Sequence, residues 1–270
     1  MTIAELQEDR VVEAVYAVRA KRKLRTRGGA PYLALELVDP TGRIDARVWS
    51  DVELLDGRFA EGDAVRVLGR VERFRNRLQL DVRSLESADV DPGTLTPSVR
   101  RDADELGGFL DFLVGEIAHP GLATTVQAVL ADAPLAERPA TPDGHHSYAG
   151  GLLEHTVGVA TICRETAQLH PRLRDDLLLA AALVHDVGRA AELGPGPAFA
   201  VTEEGRLLGH VTLGVRLVDT RAQGLTDVQK AELLHCVAVH HDARAARTAE
   251  AAVLHHANAL DAVAATRPTD

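Results

Sequence analysis

The spacing of apolar residues changes once along this chain, near Asp91-Pro92-Gly93. Before that point apolar and polar residues alternate with period two, the strand pattern. After residue 96 they recur at three and four, the helix pattern. A switch of this kind places the strands and the helices in separate domains. The expected fold is therefore α+β in two domains, with boundaries 1–92 and 93–270.

Strands are expected at residues 11–18, 32–38, 44–49, 64–71 and 78–82, with a short helix at 51–56. Asp39-Pro40-Thr41-Gly42 reads as the turn after the second strand. Five short antiparallel strands close most readily into a small barrel, because closure removes exposed edges. This order suits a five-stranded OB-like barrel, in which the loops between strands one and two and between four and five flank an oligonucleotide face. Two basic clusters fall in those loops: Arg19, Lys21, Arg22, Lys23, Arg25, Arg27, and Arg70, Arg73, Arg75, Arg77. Tyr32 and Phe74 lie beside them and can stack on bases. Arg22, Lys23, Phe74, Arg75 and Arg77 are the candidate nucleic-acid contacts. Aromatics are only 3% of the chain, so a long stacking platform is excluded.

Charge separates the halves further. Net charge is −10, but residues 1–92 hold 16 basic and 17 acidic side chains, whereas 93–270 hold 14 and 23. The longest apolar run, residues 177–184, is far short of the roughly twenty a membrane span needs, so no membrane partner is expected. The polar, acidic N-terminus shows no signal peptide. Cys163 and Cys236 sit in apolar helical stretches and read as buried free thiols of a reducing, cytoplasmic compartment.

Helices are expected near 98–117, 120–132, 149–168, 173–188, 207–222, 226–241 and 248–264. The stretch 192–206 is too rich in Pro and Gly and reads as a loop or small hairpin. His155 falls on the stripe of Leu152, Val159 and Ile162. His185 continues that of Leu178, Ala181 and Ala182. His210 lies between Leu207 and Leu213, and His240 follows Leu233 and Val237. Asn258 and Asp261 interrupt the face that Leu254 begins. Any one of these reads as a core polar group satisfied by a carbonyl. Five helices presenting such groups need a shared partner, which one cation supplies. Imidazole with carboxylate suits Zn, Mn, Fe, Co or Ni better than Ca or Mg. With no thiolate in the set, a cysteine-type structural zinc site is excluded.

The string Leu183-Val184-His185-Asp186-Val187-Gly188-Arg189 resembles the signature of the HD-domain metal-dependent phosphohydrolases. The resemblance extends through Gly151-Leu152-Leu153-Glu154-His155-Thr156, Gly209-His210 and His240-His241. The segment His145-His146-Ser147-Tyr148-Ala149-Gly150-Gly151 resembles a narrower group, the YhaM-type 3′→5′ exoribonucleases, which join an OB-fold to an HD domain. The resemblance covers almost the whole chain. It implies two divalent transition-metal ions, manganese first among the candidates. His155, His185 and Asp186 would hold one ion, and Asp186 would bridge to a second held by His210 and His240. His241 would face substrate or take the place of His240. Arg189 stands where the family has lysine and would contact phosphate, as would His145 and His146. Asp186, Arg189 and His241 form the implied catalytic set. The family's last metal aspartate is Asn258 here. The implied last ligand is Asn258, or else Asp261 one turn later.

Three functions are therefore weighed. The first is a metal-dependent 3′→5′ exoribonuclease acting on single-stranded RNA, with single-stranded DNA as a further substrate. The second is an HD phosphohydrolase of small nucleotides. The third is a nucleic-acid-binding protein with a catalytically impaired HD domain, which Asn258 favours. Self-association into a homo-oligomer is left open.

Overall fold

A computed structural model describes residues 1–96 and 101–266. The first three residues of the helix expected from 98 lie outside the described residues. The chain divides into two compact units: Met1–Ser98 with Pro195–Phe199, and Val99–Gly194 with Ala200–Asp270.

The first unit is the expected five-stranded barrel. Its strands are β1 (Val11–Arg25), β2 (Pro31–Asp39), β3 (Gly42–Val48), β4 (Ala64–Phe74) and β5 (Arg77–Ser87). They close in the order β1-β2-β3-β5-β4, antiparallel except for β3 with β5. Alternation sends Leu33, Leu35 and Leu37 of β2, and Ile44, Ala46 and Val48 of β3, into the core. The turn between them is held by Asp39, whose Oδ1 accepts from the Thr41 N–H at 2.8 Å and the Gly42 N–H at 3.1 Å. The short helix α1 (Val52–Asp56) follows β3.

The barrel corrects one expectation. Most of the basic residues are on strands rather than in loops, with Arg27 and Arg75 in the connections. β1 runs on to Arg25, and β4 and β5 are joined only by Arg75-Asn76, both at positive φ as a two-residue hairpin turn requires. Main-chain pairing at the end of a barrel does not need apolar side chains, so the apolar pattern stopped short of the true strand ends.

The second unit is helical: α2 (Ala103–Gly115), α3 (Pro120–Ala131), α4 (Gly151–Leu169), α5 (Asp175–Val184), α6 (Arg189–Glu192), α7 (Glu203–Arg221), α8 (Asp227–Val239) and α9 (Ala249–Thr266). Helix α5 is its axis. Leu177 to Val184 are all buried, and each large aliphatic among them contributes roughly 1.5–3 kcal/mol on burial. The stretch between α6 and α7 is a small hairpin marked by the Leu193–Val201 bridge. Helix α7 begins four residues earlier than expected, because Thr202 caps it through the Gly205 N–H. Among the described residues, no helix is long and apolar enough to cross a membrane.

Candidate metal centre

Helix α5 ends at Val184, so His185 and Asp186 leave its last turn together. Both are buried, as are His155 of α4 and His240 after α8. His210 of α7 is largely buried and His241 is exposed. Two sets of donors share Asp186: His155, His185 and Asp186, and Asp186, His210, His240 and His241. Within each set the donor atoms lie within 4.8 Å of one another. Asp186 Oδ2 is 3.7 Å from His155 Nε2 and 3.8 Å from His185 Nε2. Its Oδ1 is 3.4 Å from His210 Nε2 and 3.3 Å from His240 Nε2.

The rings are oriented from behind. His185 Nδ1 donates to the Ala182 carbonyl at 2.7 Å and His240 Nδ1 to the Val237 carbonyl at 2.6 Å. His155 Nδ1 faces Asp261 Oδ2 at 2.7 Å. Each acceptor holds a proton on Nδ1 and leaves Nε2 bare toward Asp186.

Bare nitrogens around a carboxylate cannot hydrogen-bond one another. Asp186 Oδ1 and His240 Nε2 are buried and lack a hydrogen-bond partner among the described residues. Orphaned buried acceptors of this kind fit a cation, and imidazole with one shared carboxylate fits a borderline divalent ion. Burial, above all, pulls the His185 imidazole down to about 3, against the pull of Asp186. Burial would raise the Asp186 carboxyl. The imidazoles of His240 and His185 and the Arg189 guanidinium outweigh it and hold Asp186 well below the usual range. A lowered His185 imidazole and an ionised Asp186 carboxylate are the protonation states that metal binding needs.

Glycines shape the approach. A Cβ at Gly188 would collide with the His210 carbonyl, and one at Gly151 with the His146 carbonyl. Bare backbone at these points lets α7 and the His145–His146 loop close on the centre. His145 Nδ1 lies 3.2 Å from His146 Nδ1, and His146 Nδ1 lies 3.7 Å from Asp261 Oδ2. Burial first, then neighbouring His155 and His146, lower His145 to about 4. Arg189 opens α6, and its Nε is 3.8 Å from Asp186 Oδ1.

The residues named from the helical sequence thus gather in one place: His145, His146, His155, His185, Asp186, Arg189, His210, His240, His241 and Asp261. Asn258 is buried one turn before Asp261 on α9. Arg22, Lys23, Phe74, Arg75 and Arg77 lie on the barrel unit. There Lys23 is engaged by Glu53 at 2.5 Å, and Arg75 sits over the Phe74 ring. Arg70 and Arg73 pair with Asp9 and Glu8. Two residues carried no functional signal in the sequence. Trp49 stacks on Tyr32 with ring centroids 4.9 Å apart and is half exposed. Tyr32 and Trp49 follow from the Leu33–Val48 register as cross-strand neighbours, so pairing, once known, finds the stack. Glu192 has no place in a periodic pattern. Its carboxylate lies 2.6 Å from Arg189 Nη1 and 3.5 Å from His210 Nδ1. Burial would raise this carboxyl, but His210 and Arg189 hold it down to about 2.

Residues 152–263 match the HD domain family, and residues 15–88 match the family described as OB-fold nucleic acid binding domain. The 3'-5' exoribonuclease YhaM of Bacillus subtilis is 27% identical over 93% of this chain and 84% of its own length. That of Halalkalibacterium halodurans is 28% identical over 87% and 76%. Among solved structures, the second OB-fold domain of replication protein A from Methanococcus maripaludis aligns with 33% of this chain and 95% of that one, at 25% identity and a TM-score of 0.28. This chain is an OB barrel followed by a helical HD domain, similar over most of its length to the exoribonucleases named YhaM.

Proposed function

We propose that this protein is a metal-dependent 3′→5′ exoribonuclease of single-stranded RNA. The observation that carries the reading is the orphaned pair Asp186 Oδ1 and His240 Nε2, 3.3 Å apart inside a ring of imidazoles. The name of the relatives, 3'-5' exoribonuclease, supports the substrate class and direction of this reading. Single-stranded DNA is a second substrate on the same chemistry, since the phosphodiester that the centre would act on is common to both.

His155, His185 and Asp186 would hold one ion, and Asp186, His210 and His240 a second, with Asn258 as the nearer residue of α9 and Asp261 behind His155. Divalent ions bound there, manganese foremost, would supply Lewis-acid charge at the scissile phosphate and acidify water. Arg189 gives that phosphate a fixed positive partner, although as guanidinium rather than the compact ammonium of lysine. His145 and His146, on their loop beside His155, contact the neighbouring phosphate. His241 is exposed, with Nε2 2.9 Å from His210 Nε2. It would face the substrate or take the place of His240 as a ligand.

In the barrel domain, which we bound at residue 92, the strand runs over the outward face of β1, β2 and β3. Tyr32 and Trp49 take a base there, and Arg22, Arg75 and Arg77 supply phosphate charge. The free thiols Cys163 and Cys236 accord with a cytoplasmic enzyme.

The test is 5′-labelled single-stranded RNA with manganese, resolved on a gel. A descending ladder is expected. Intact RNA with a mobility shift would leave a binding protein, and intact RNA with hydrolysis of free nucleotides a small-nucleotide phosphohydrolase.

A further inference from the structure

His210 differs from the other ring donors in how its back is held. His185 and His240 each use a carbonyl three residues earlier in their own helix. His210 follows Gly209, which adopts φ 69° and ψ 158° and kinks α7. That conformation is essentially restricted to glycine. The kink frees the His210 N–H from the helical ladder. The N–H donates instead to Glu192 Oε1 at 3.2 Å.

The other carboxylate oxygen does two things. Glu192 Oε2 accepts from Arg189 Nη1 at 2.6 Å and faces His210 Nδ1 at 3.5 Å. One side chain therefore touches a candidate ligand at two points and the candidate phosphate contact at a third. Both of those residues turn their other ends to Asp186: His210 Nε2 at 3.4 Å and Arg189 Nε at 3.8 Å from the same Oδ1.

Glu192 is itself immobilised. Its carbonyl accepts the Thr202 N–H at 2.9 Å, and the Thr202 hydroxyl donates to the neighbouring Ala191 carbonyl at 2.8 Å. A Cβ at Gly205 would collide with Glu192 backbone and Cγ, so the first turn of α7 lies directly on it. The side chain is 13% exposed.

We propose that Glu192 is a positioning residue of the centre, setting the tautomer and direction of His210 and the placement of Arg189 through one carboxylate. The proposal rests on the metal-centre reading for its functional consequence but not for its geometry. A carboxylate 3.5 Å behind His210 Nδ1 favours the proton there and leaves Nε2 bare, through its charge rather than through a short hydrogen bond of the kind behind His155, His185 and His240. A purely structural Glu192 would neutralise Arg189 and leave the ring free to choose its tautomer.

The experiment uses the full chain with 15N-labelled histidine, as Glu192→Ala, Glu192→Gln, Glu192→Asp and parent. Without metal at neutral pH, the parent His210 is expected as the Nδ1–H form and Glu192→Ala as a mixture rich in Nε2–H. In manganese titration calorimetry, Glu192→Ala should bind one of two ions 10–100-fold more weakly and the other as the parent does. Glu192→Asp should recover part of that loss, and KM for RNA should rise in Glu192→Ala as Arg189 loses its anchor. If Glu192→Ala does not fold, Glu192→Gln decides: it keeps the shape but sets an amide NH2 against Arg189 or His210. A folded variant with parental His210 tautomer and parental affinity for both ions overturns the proposal. A parent that binds no manganese overturns the metal-centre reading, while the His210 tautomer still judges Glu192.

Discussion

Asp261 Oδ2 lies 2.7 Å from His155 Nδ1, so the carboxylate meets the back of the ring while Nε2 faces Asp186. This arrangement needs Gly158, one turn after His155 on α4, because a Cβ there would collide with the Asp261 carboxylate. An aspartate committed to His155 tunes a ligand. Asp261→Asn should therefore weaken manganese binding about 10–100-fold, and less than Asp186→Asn, which removes the shared carboxylate. Asn258→Asp should tighten binding by adding a charge. Calorimetric titration of these three variants and of Asn258→Ala decides. A larger loss in Asp261→Asn than in Asp186→Asn, with Asn258→Ala harmless, would make Asp261 the direct ligand.

The stacked pair Tyr32 and Trp49 predicts where RNA gains affinity without sequence preference. Trp49→Ala should cost about 1–3 kcal/mol of RNA binding, the worth of one base stacked on an aromatic ring, and leave the salt dependence unchanged. Replacing Arg22, Lys23, Arg75 and Arg77 together should instead flatten the slope of log affinity against log salt by about 0.7 for every phosphate no longer neutralised. Lys23 already pairs with Glu53, so the total change should correspond to fewer than four phosphates. Fluorescence anisotropy at several salt concentrations separates the two effects. A quadruple variant with the parental slope would leave these residues as solvated surface.

Acid should expose the tie between α5 and α9. Glu250 accepts the Arg174 N–H at 3.0 Å, Nε at 3.2 Å and Nη2 at 3.1 Å. Burial would raise this carboxyl, but the hydrogen bonds from Arg174 hold it down to about 2 from 4.5. A depressed carboxylate contributes stability above its unfolded value and loses it as pH falls through the folded one. The contribution is thus complete above about pH 4.5 and fades toward pH 2. Glu250→Gln should cost roughly 1–3 kcal/mol at neutral pH, less than a fully buried pair because Arg174 is half exposed. Its stability should also fall less steeply between pH 4.5 and 2, measured by urea unfolding. Equal slopes in variant and parent would rule out this carboxylate as the source.

The barrel, the helical domain and the inward histidines were legible in the sequence for one reason: each is written as a break or continuation in apolar spacing. Leu33, Leu35 and Leu37 announce a strand, and His185 after Leu178 and Ala182 announces a polar group aimed inward. What that spacing does not encode stayed hidden. The polar end of β1 through Arg25 is fixed by pairing to β2, not by side-chain burial. The Gly209 kink depends on one residue's φ and ψ. Glu192 finds His210 only because the hairpin after α6 folds α7 back over it. The loop placement of the basic clusters failed for the same reason, since Arg22 and Lys23 are strand residues held by Ala34 and Leu33 of the next strand.

Helix α5 has no solvent face from Leu177 to its end, and His185 and Asp186 hang from that end. Its amides can exchange only when the domain itself opens, so these two donors stand in place before any ion arrives. His210 instead rides a kinked helix, with its backbone N–H and the back of its ring both turned to Glu192. On the proposed reading, an ion between His155, His185 and Asp186 would enter a seat held by the core, whereas a second at His210 would depend on the few contacts of Glu192.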